Sequence, residues 1–250
     1  MSARRMLTFL LSMVLLLGVA GPAAAASGAG NGTSTIGATH VAATTGLLLA
    51  PTPGATLKRG DKGAQVKALQ LRLRELRYWV GDIDGVFGNL TQQALFAFQK
   101  QQGLEIDGVY GPNTAKALAK AKRPGARSAS GTWVEIDKGR QVLKFVRGGT
   151  VKWIFNTSTG TEKPYTYKGK RYMADTPKGK WKIFRQVKGW RDGELGLLYN
   201  PKYFHVDGIA IHGYNSVPPY PASHGCARVS MDASDFLWSR IKIGTKVWIY

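Results

Sequence analysis

Cysteine is almost absent from this sequence, which has a single one, Cys226, among 250 residues. A chain with one cysteine cannot form an internal disulfide. Cys226 is therefore a buried structural thiol, an intermolecular bridge or a reactive nucleophile, and its neighbours have to distinguish these three possibilities. No other cysteine follows the N-terminal apolar run, which argues against a lipid-anchored lipoprotein.

The N-terminal apolar run is too short to remain in a membrane. Arg4 and Arg5 precede an apolar stretch over 6–20, and alanines follow at 23–26. A spanning helix needs about 20 apolar residues, whereas this order of basic, apolar and small residues is that of a secretory signal peptide. We predict a signal peptide over 1–26, export by the general secretory route and no stable membrane insertion. The mature protein is then extracellular and wall-associated, or periplasmic in a source with an outer membrane.

Acidic residues are scarce. The sequence has 15 Asp and Glu residues against 35 Lys and Arg residues, which gives a formal net charge of +20. Removal of the signal peptide with Arg4 and Arg5 leaves +18. A protein of this charge concentrates on polyanions. An exported protein meets the anionic bacterial wall first, so we expect wall polymers as partners and no nucleic acid. A well-solvated surface without a specific partner remains the alternative.

Two stretches lack the apolar periodicity of folded segments. Residues 27–56 are rich in small residues and carry no charge, and residues 122–131 contain Pro124, Gly125 and two serines. Both compositions are typical of flexible tethers. They divide the chain into a segment over 57–121 and a second one over 132–250, each of domain size. We expect the protein to be a monomer.

The first segment contains an internal repeat. Residues 83–91 (Ile-Asp-Gly-Val-Phe-Gly-Asn-Leu-Thr) recur at 106–114 (Ile-Asp-Gly-Val-Tyr-Gly-Pro-Asn-Thr), and an Ala-Leu pair follows each copy. Each copy has the residues of a turn that opens a helix. Before the first copy, Val66, Leu69 and Leu73 lie at helical spacing. The pattern predicts a small all-α domain of three helices with two related loops.

This segment resembles a known family. The residues 60–63 (Gly-Asp-Lys-Gly), 84–88 (Asp-Gly-Val-Phe-Gly), Phe98-Gln99 and Gly103-Leu104 are similar to those of the helical peptidoglycan-binding domain that accompanies many wall enzymes. The resemblance implies binding to the glycan or the peptide stems of peptidoglycan. It does not say which side chains make the contact.

The second segment is predicted to be mainly β, a sandwich or barrel with one helix. Residues 133–137 alternate in polarity, and 141–146 and 151–155 are rich in β-branched and aromatic residues, with glycine turns between them. One helix is expected from Met231 to Ile241, with Ser230 as its N-cap.

Cys226 has a candidate base in His212, which precedes it by fourteen residues at the end of a predicted strand. A thiol reacts as the thiolate, which requires a base or a positive field nearby. The proline-containing stretch 213–222 is long enough to bring the two residues together. We expect a backbone carbonyl to fix the His212 tautomer, since Gly213 has no side chain to do so.

If residues 223–228 are extended, His224, Cys226 and Arg228 lie on one face. That combination favours a lowered thiol pKa, and Arg228 is suited to bind a substrate carboxylate. The amides of Gly225 and Cys226 are candidates for an oxyanion hole.

Three further residues are candidates for substrate contact. Ser223 is expected to orient a histidine or to contact substrate. Tyr214 and Tyr220, in the loop between His212 and Cys226, are the best aromatic candidates for the peptide.

The same residues resemble the signature of the L,D-transpeptidase catalytic domain, the YkuD-like family. Ile-His-Gly at 211–213 and Ser-His-Gly-Cys-Ala-Arg-Val at 223–229 match it, and only Ala227 is smaller than the usual residue. The resemblance covers about residues 133–250. It implies that Cys226 forms a thioester with a peptidoglycan stem peptide, His212 carries the proton and His224 supports them, without metal or cofactor. An amine of a second stem then completes a cross-link, and the family is characteristically acylated by carbapenems.

Other functions remain open. With water as acceptor the enzyme would be an L,D-carboxypeptidase. His205, His212 and His224 with Cys226 also suit a zinc-dependent amidase or peptidase, although the only local carboxylate is Asp207. A catalytically inactive wall-binding protein is the non-enzymatic alternative, against which the intact motif argues.

Overall fold

The computed structural model describes residues 51–52 and 54–250. The predicted signal peptide (1–26) and most of the predicted tether (27–56) lie outside these residues. The helical part contains α1 (Ala64–Glu75), α2 (Asn89–Gln102) and α3 (Pro112–Lys120). The apolar residues that predicted the first helix, Val66, Leu69 and Leu73, are all buried in it. Three helices and two repeated turns were predicted, and the structure confirms them.

The two copies of the repeat are held by the same hydrogen bonds. Gln70 Nε2 donates to Asp84 Oδ1 (2.8 Å), and Gln70 Oε1 accepts from Gly85 N (2.9 Å). In the second copy, Gln99 Nε2 donates to Asp107 Oδ1 (2.6 Å) and Gln99 Oε1 accepts from the next glycine amide (3.0 Å). A buried amide that bonds through both its ends fixes the turn, because an unpaired buried group is costly. The repeat thus encodes two turns pinned by glutamines of the preceding helices.

The second part is mainly β, as predicted. Its strands are β1 (Thr132–Asp137), β2 (Val142–Arg147), β3 (Thr150–Asn156), β4 (Pro164–Tyr167), β5 (Lys170–Met173), β6 (Gly179–Lys182), β7 (Arg185–Gln186), β8 (Trp190–Gly193), β9 (Gly196–Tyr203), β10 (Ala210–Tyr214) and β11 (Ala227–Ser230), followed by α4 (Met231–Trp238) and β12 (Lys246–Ile249). One sheet has the order β3-β2-β1-β12-β6, and another has the order β11-β10-β9-β7 with β8 also paired to β9. Strands β4 and β5 form a separate hairpin.

One buried hydrophobic cluster contains residues of both large sheets. It contains Val134 and Val247 from the first sheet, Ile211 and Val229 from the second, and Leu237 from α4, all at most 2% exposed. Burial on this scale stabilises by about 25 cal/mol for each Å² of apolar surface removed from water. Strands β10 and β11 are parallel neighbours, and each places a buried residue, Ile211 or Val229, in this cluster. The cluster therefore fixes the positions of both strands.

The helix that follows β11 is shorter than predicted. It ends at Trp238, not at Ile241, although Ile241 is still fully buried in the core. The predicted cap is present, because Ser230 Oγ accepts from Ala233 N at 3.2 Å. The prediction continued the helix to Ile241 because this apolar residue lies at helical spacing, but Ile241 is buried from the turn that follows the helix.

The helical part completes the edge of the first sheet. Trp79 N donates to Ile154 O of β3 (2.9 Å), and Ile154 N donates to Arg77 O (2.8 Å), so the segment after α1 pairs with this strand. Val151 and Ile154 share one buried cluster with the helical residues. The described residues therefore form one compact unit, with the helical part fixed to the β part.

Residues 122–131, predicted to be a flexible linker, are held against the β part. Ser128 is buried, and its amide and hydroxyl both donate to the carboxylate of Glu135 (2.7 and 2.8 Å). Lys144 Nζ donates to Gly125 O at 2.9 Å. Composition indicated a tether because these residues are small and polar, but the buried Glu135 carboxylate requires donors and takes them from this segment.

Candidate active site

A cavity of about 880 Å³ lies where the second sheet meets the two hairpins β4–β5 and β8–β9. The predicted site residues that line it are Ser223, His224, Gly225, Cys226, Arg228, His212 and Tyr214. Tyr220 is not among its lining residues. Its side chain is 63% exposed, and its carbonyl accepts from Ser158 Oγ at 2.8 Å. The structure thus brings seven of the eight predicted residues to one cleft.

Cys226 immediately precedes the first residue of β11 and lies beside β10. Its Sγ accepts from Ala210 N at 3.4 Å. Burial raises the pKa of the Cys226 thiol above its ordinary value, although this amide and Arg228 act in the opposite direction. Arg228 thus lowers the thiol pKa as predicted, but the net direction is upward, because the desolvation of a thiolate outweighs the nearby donor and cation.

His212 lies on β10 and is 3% exposed. Its Nδ1 is 2.8 Å from Gly213 O. A carbonyl oxygen only accepts, so Nδ1 carries the proton and Nε2 has the free lone pair. Burial lowers the pKa of His212 to about 4, and Arg228 adds to the effect. The imidazole is therefore neutral at physiological pH with Nε2 able to accept a proton.

The segment before Cys226 is bent, not extended. Strand β11 begins only at Ala227, and Gly225 has a φ of 147°. A Cβ on Gly225 would lie 2.8 Å from Asp175 O, so only glycine fits. His224 is exposed and packs edge-on against Tyr165 at 4.7 Å between ring centroids. The predicted common face therefore fails at His224, which points to the β4–β5 hairpin.

Ser223 closes this bend with its side chain. Its Oγ donates to Cys226 O at 2.6 Å and accepts from Gly225 N at 3.0 Å. The predicted oxyanion-hole amide of Gly225 is therefore occupied by Ser223 in this conformation. The predicted role of Ser223 in orienting a histidine is not what its contacts show, since both its bonds are to the backbone of the turn.

Arg228 is paired in register with His212 across β10 and β11. Its Nη1 donates to Ala222 O (3.0 Å), and its guanidinium carbon lies 4.3 Å from the ring centroid of Tyr214. Its Nε is buried without a hydrogen-bond partner among the described residues. The cation therefore lies at the cleft, and its Nε–H is buried and unpaired.

Several cavity residues were not predicted from the sequence. Tyr165, Tyr172 and Met173 come from the β4–β5 hairpin, and Leu195 and Leu197 come from the β8–β9 hairpin. The last four are more than 40% exposed although they are apolar. The glycines at both hairpin turns mark the hairpins in the sequence, but nothing in the sequence places these turns beside Cys226.

His205 also lines the cavity, next to the cleft residues. Its Nδ1 is 3.3 Å from Asp207 Oδ2, and its ring packs edge-on against Trp181. In the part of the chain that the structure describes, no group of three or more His, Cys, Asp or Glu side chains is arranged to hold a metal ion. Within that same part, no helix is both long and apolar enough to cross a membrane.

The fold agrees with comparisons to known proteins. A family model for a peptidoglycan binding domain matches residues 62–118, and one for the L,D-transpeptidase catalytic domain matches 131–249. The crystal structure of an L,D-transpeptidase segment from Xylanimonas cellulosilytica is 46% identical, with a TM-score of 0.76, over 80% of this chain and 99% of that one. The chain belongs to the L,D-transpeptidase family. The L,D-transpeptidase catalytic domain thus coincides with the β part that forms the cleft.

Curated relatives of this L,D-transpeptidase family member match over shorter stretches. An N-acetylmuramoyl-L-alanine amidase of Bacillus licheniformis is 47% identical over 77 residues, which are 28% of this chain and 21% of the relative. A spore cortex-lytic enzyme of Bacillus cereus is 36% identical over 96 residues, 38% of this chain and 34% of the relative. The chain therefore spans about a fifth to a third of the length of these relatives.

Proposed function

We propose that this protein is an L,D-transpeptidase that cross-links peptidoglycan stem peptides through a thioester on Cys226. The observation that carries the proposal is that the Cys226 thiol and His212, a neutral, buried histidine whose Nδ1 is fixed by Gly213 O, line the same cavity. This is the arrangement that a cysteine nucleophile with a histidine base requires. The family resemblance supplies the substrate class.

The first step transfers an acyl group to the enzyme. His212 Nε2 accepts the thiol proton as Cys226 Sγ attacks the carbonyl carbon between an L-centre and a D-amino acid. The C–N bond then breaks, His212 returns the proton to the departing amine, and a thioester remains. A cysteine with a raised pKa suits this concerted transfer, because the thiolate forms only as the new bond forms.

The second step releases the acyl group to an acceptor. An amine from another stem attacks the thioester carbonyl, the C–S bond breaks, and the proton lost by the amine returns through His212 to Sγ. The guanidinium of Arg228, which lines the cavity beside Cys226, is a candidate to bind a carboxylate or the developing oxyanion. Because the Gly225 amide is occupied, we assign the oxyanion contact to the Cys226 amide or to Arg228.

The helical domain and the signal peptide give the proposed location. We propose that residues 1–26 direct export and that the helical domain holds the enzyme on the wall, with the excess of lysine and arginine adding attraction to anionic polymers. Cell fractionation with an antibody to the catalytic domain tests this directly. Recovery of the protein in the cytoplasm with its first 26 residues still attached would contradict it.

The proposed chemistry is tested with imipenem, a carbapenem, and intact-mass measurement. We expect the wild type to gain the mass of one imipenem molecule and the variant Cys226→Ala to gain none. An equal adduct on both proteins, or none on the wild type, would refute the assignment.

A second experiment separates this mechanism from the amidases named among the relatives. Activity on purified stem tetrapeptides should survive a chelator and be lost on treatment with iodoacetamide. The reverse result would identify a zinc enzyme. Mass analysis of the products then distinguishes the acceptors, since cross-linked dimers indicate transpeptidation and free tripeptides indicate hydrolysis.

A further inference from the structure

Helix α2 of the helical domain places a lysine inside the catalytic domain. Lys100 is 5% exposed. Its Nζ donates to Gln141 O (3.0 Å), to Thr157 O (3.3 Å) and to Asn156 Oδ1. Three acceptors match the three donors of an ammonium group. No carboxylate is among these partners, and burial lowers the pKa of Lys100 to about 7. Burying the charged amine of a lysine costs free energy that an apolar side chain at the same position would not cost. The hydrogen bonds of Lys100 are therefore expected to serve a purpose other than stability.

The side chain of Asn156 connects this lysine to the loop between His212 and Cys226. Asn156 Nδ2 donates to Gln93 Oε1 (2.6 Å) and to Val217 O (3.1 Å). Gln93 Nε2, also from α2, donates to the same Val217 carbonyl (3.1 Å). Two residues of the helical domain and one of the catalytic domain thus form a closed set of hydrogen bonds around one point of the loop.

The residues after Asn156 continue the contact to the cysteine segment. Thr157 Oγ1 donates to Arg228 O (2.7 Å), and Ser158 and Arg228 exchange backbone hydrogen bonds (2.9 and 3.2 Å). Thr159 O accepts from the amides of Ala222 and Ser223 (3.1 and 3.0 Å). Residues 157–159 therefore support both ends of the segment that contains Cys226.

We propose that Gln93 and Lys100 of the helical domain are positioning residues for catalysis, which hold Asn156 and the 157–159 segment so that Cys226 and Arg228 are aligned with His212. The proposal rests on the proposed function, because the alignment matters only if Cys226 is acylated. The helical domain then serves the reaction itself in addition to binding the wall. A displacement of about 1 Å at a reacting group can lower a rate by about a hundredfold.

The test measures acylation by imipenem on the full chain, as maximal rate constant and as half-saturating concentration. Gln93→Leu removes the contacts to Asn156 and Val217 and changes a partly buried side chain, so folding should survive. Lys100→Met keeps a side chain of similar length but loses the three N–H donors of the Lys100 ammonium group. Lys67→Met is the matched control, because Lys67 is an exposed lysine on α1 of the same domain.

We expect Gln93→Leu and Lys100→Met each to lower the maximal rate constant by about tenfold to a hundredfold, with complete acylation at long times. Lys67→Met should equal the wild type. Gln93→Glu, which keeps an acceptor for Asn156 but loses the donor to Val217, should lie between Gln93→Leu and the wild type. If the variants have lower melting temperatures but unchanged rate constants per folded molecule, the contacts are only structural and the proposal is overturned.

A double-mutant cycle provides a test that does not depend on whether Lys100→Met folds. Gln93→Leu and Asn156→Ala act on one hydrogen-bonded set, so the rate loss of the double variant should be smaller than the product of the two single losses. Multiplicative losses would overturn the proposal. A wild type that forms no imipenem adduct refutes the proposed function, whereas a reactive wild type with equally reactive variants refutes this inference alone.

Discussion

The pH dependence of acylation follows from the resting states of His212 and Cys226. Burial lowers the pKa of His212 from 6.5 to about 4, while it raises the pKa of the Cys226 thiol. The change for His212 corresponds to about 3 kcal/mol against protonating the imidazole in the folded protein. The resting pair is therefore neutral thiol with neutral imidazole, in contrast to a thiolate–imidazolium pair, and over a wide pH range His212 is free to accept the thiol proton during the attack.

We expect the rate constant for acylation by imipenem to be level from about pH 5.5 to pH 8 and to fall only as the pH approaches about 4. The apparent pKa of this acid limb belongs to the coupled pair. Brief pH jumps followed by intact-mass measurement give the rate before the protein unfolds. His212→Gln should lose the plateau and react faster as pH rises, because the thiol must then ionise by itself.

Alkylation by iodoacetamide provides an independent check on the same pair. Because the resting thiol is protonated, the alkylation rate at pH 6 should be far below its value at pH 9. An acylation profile with an acid limb between pH 6 and 7, together with an iodoacetamide rate already maximal at pH 6, would show a resting thiolate and refute the reasoning.

Three further predictions concern stability, each measured by urea unfolding. A His212 pKa of about 4 means that the folded state binds fewer protons than the unfolded state below pH 6.5, so stability should fall by up to about 3 kcal/mol from pH 6.5 to 4, and His212→Gln should remove that loss. Gln99→Leu should cost about 2 to 3 kcal/mol, because it leaves a buried amide of the second turn unpaired. Gly149→Ala should cost well over about 1 kcal/mol, since its Cβ would lie 2.5 Å from Ala129 O, whereas Gly169→Ala, with a similar positive φ and open space, should cost only about 1 kcal/mol.

The parts of the fold that could be predicted are those encoded by local periodicity. The repeat predicted two turns and the helices after them, because glycine and asparagine or aspartate select the turn wherever it occurs. Alternation predicted β1, β-branched and aromatic residues predicted β2 and β3, and Ser230 predicted the start of α4. The end of that helix was wrong because burial continues to Ile241 beyond the last helical residue.

The candidate site could be predicted as a set of residues, but not in its geometry. Cys226 and His212 were found because their types and spacing carry the chemistry. The occupied Gly225 amide and the outward position of Tyr220 depend on contacts with Ser223 and Ser158. The raised thiol pKa depends on how deeply the cleft is buried, which no sequence pattern measures. The position of Tyr220 and the thiol pKa depend on contacts between distant segments. The Ser223–Gly225 contact is local, but it depends on a bend that residue types alone do not specify.

The pairing of residues 77–79 with β3 also affects how the catalytic domain can be separated from the rest. This segment covers the outer edge of the first sheet and buries Val151 and Ile154 together with the helices. A fragment that begins at residue 132 would expose that edge with unpaired backbone groups beside apolar side chains. Such an edge is a template for strand addition by another copy, so the isolated catalytic domain should self-associate, and the helical domain protects the enzyme from aggregation.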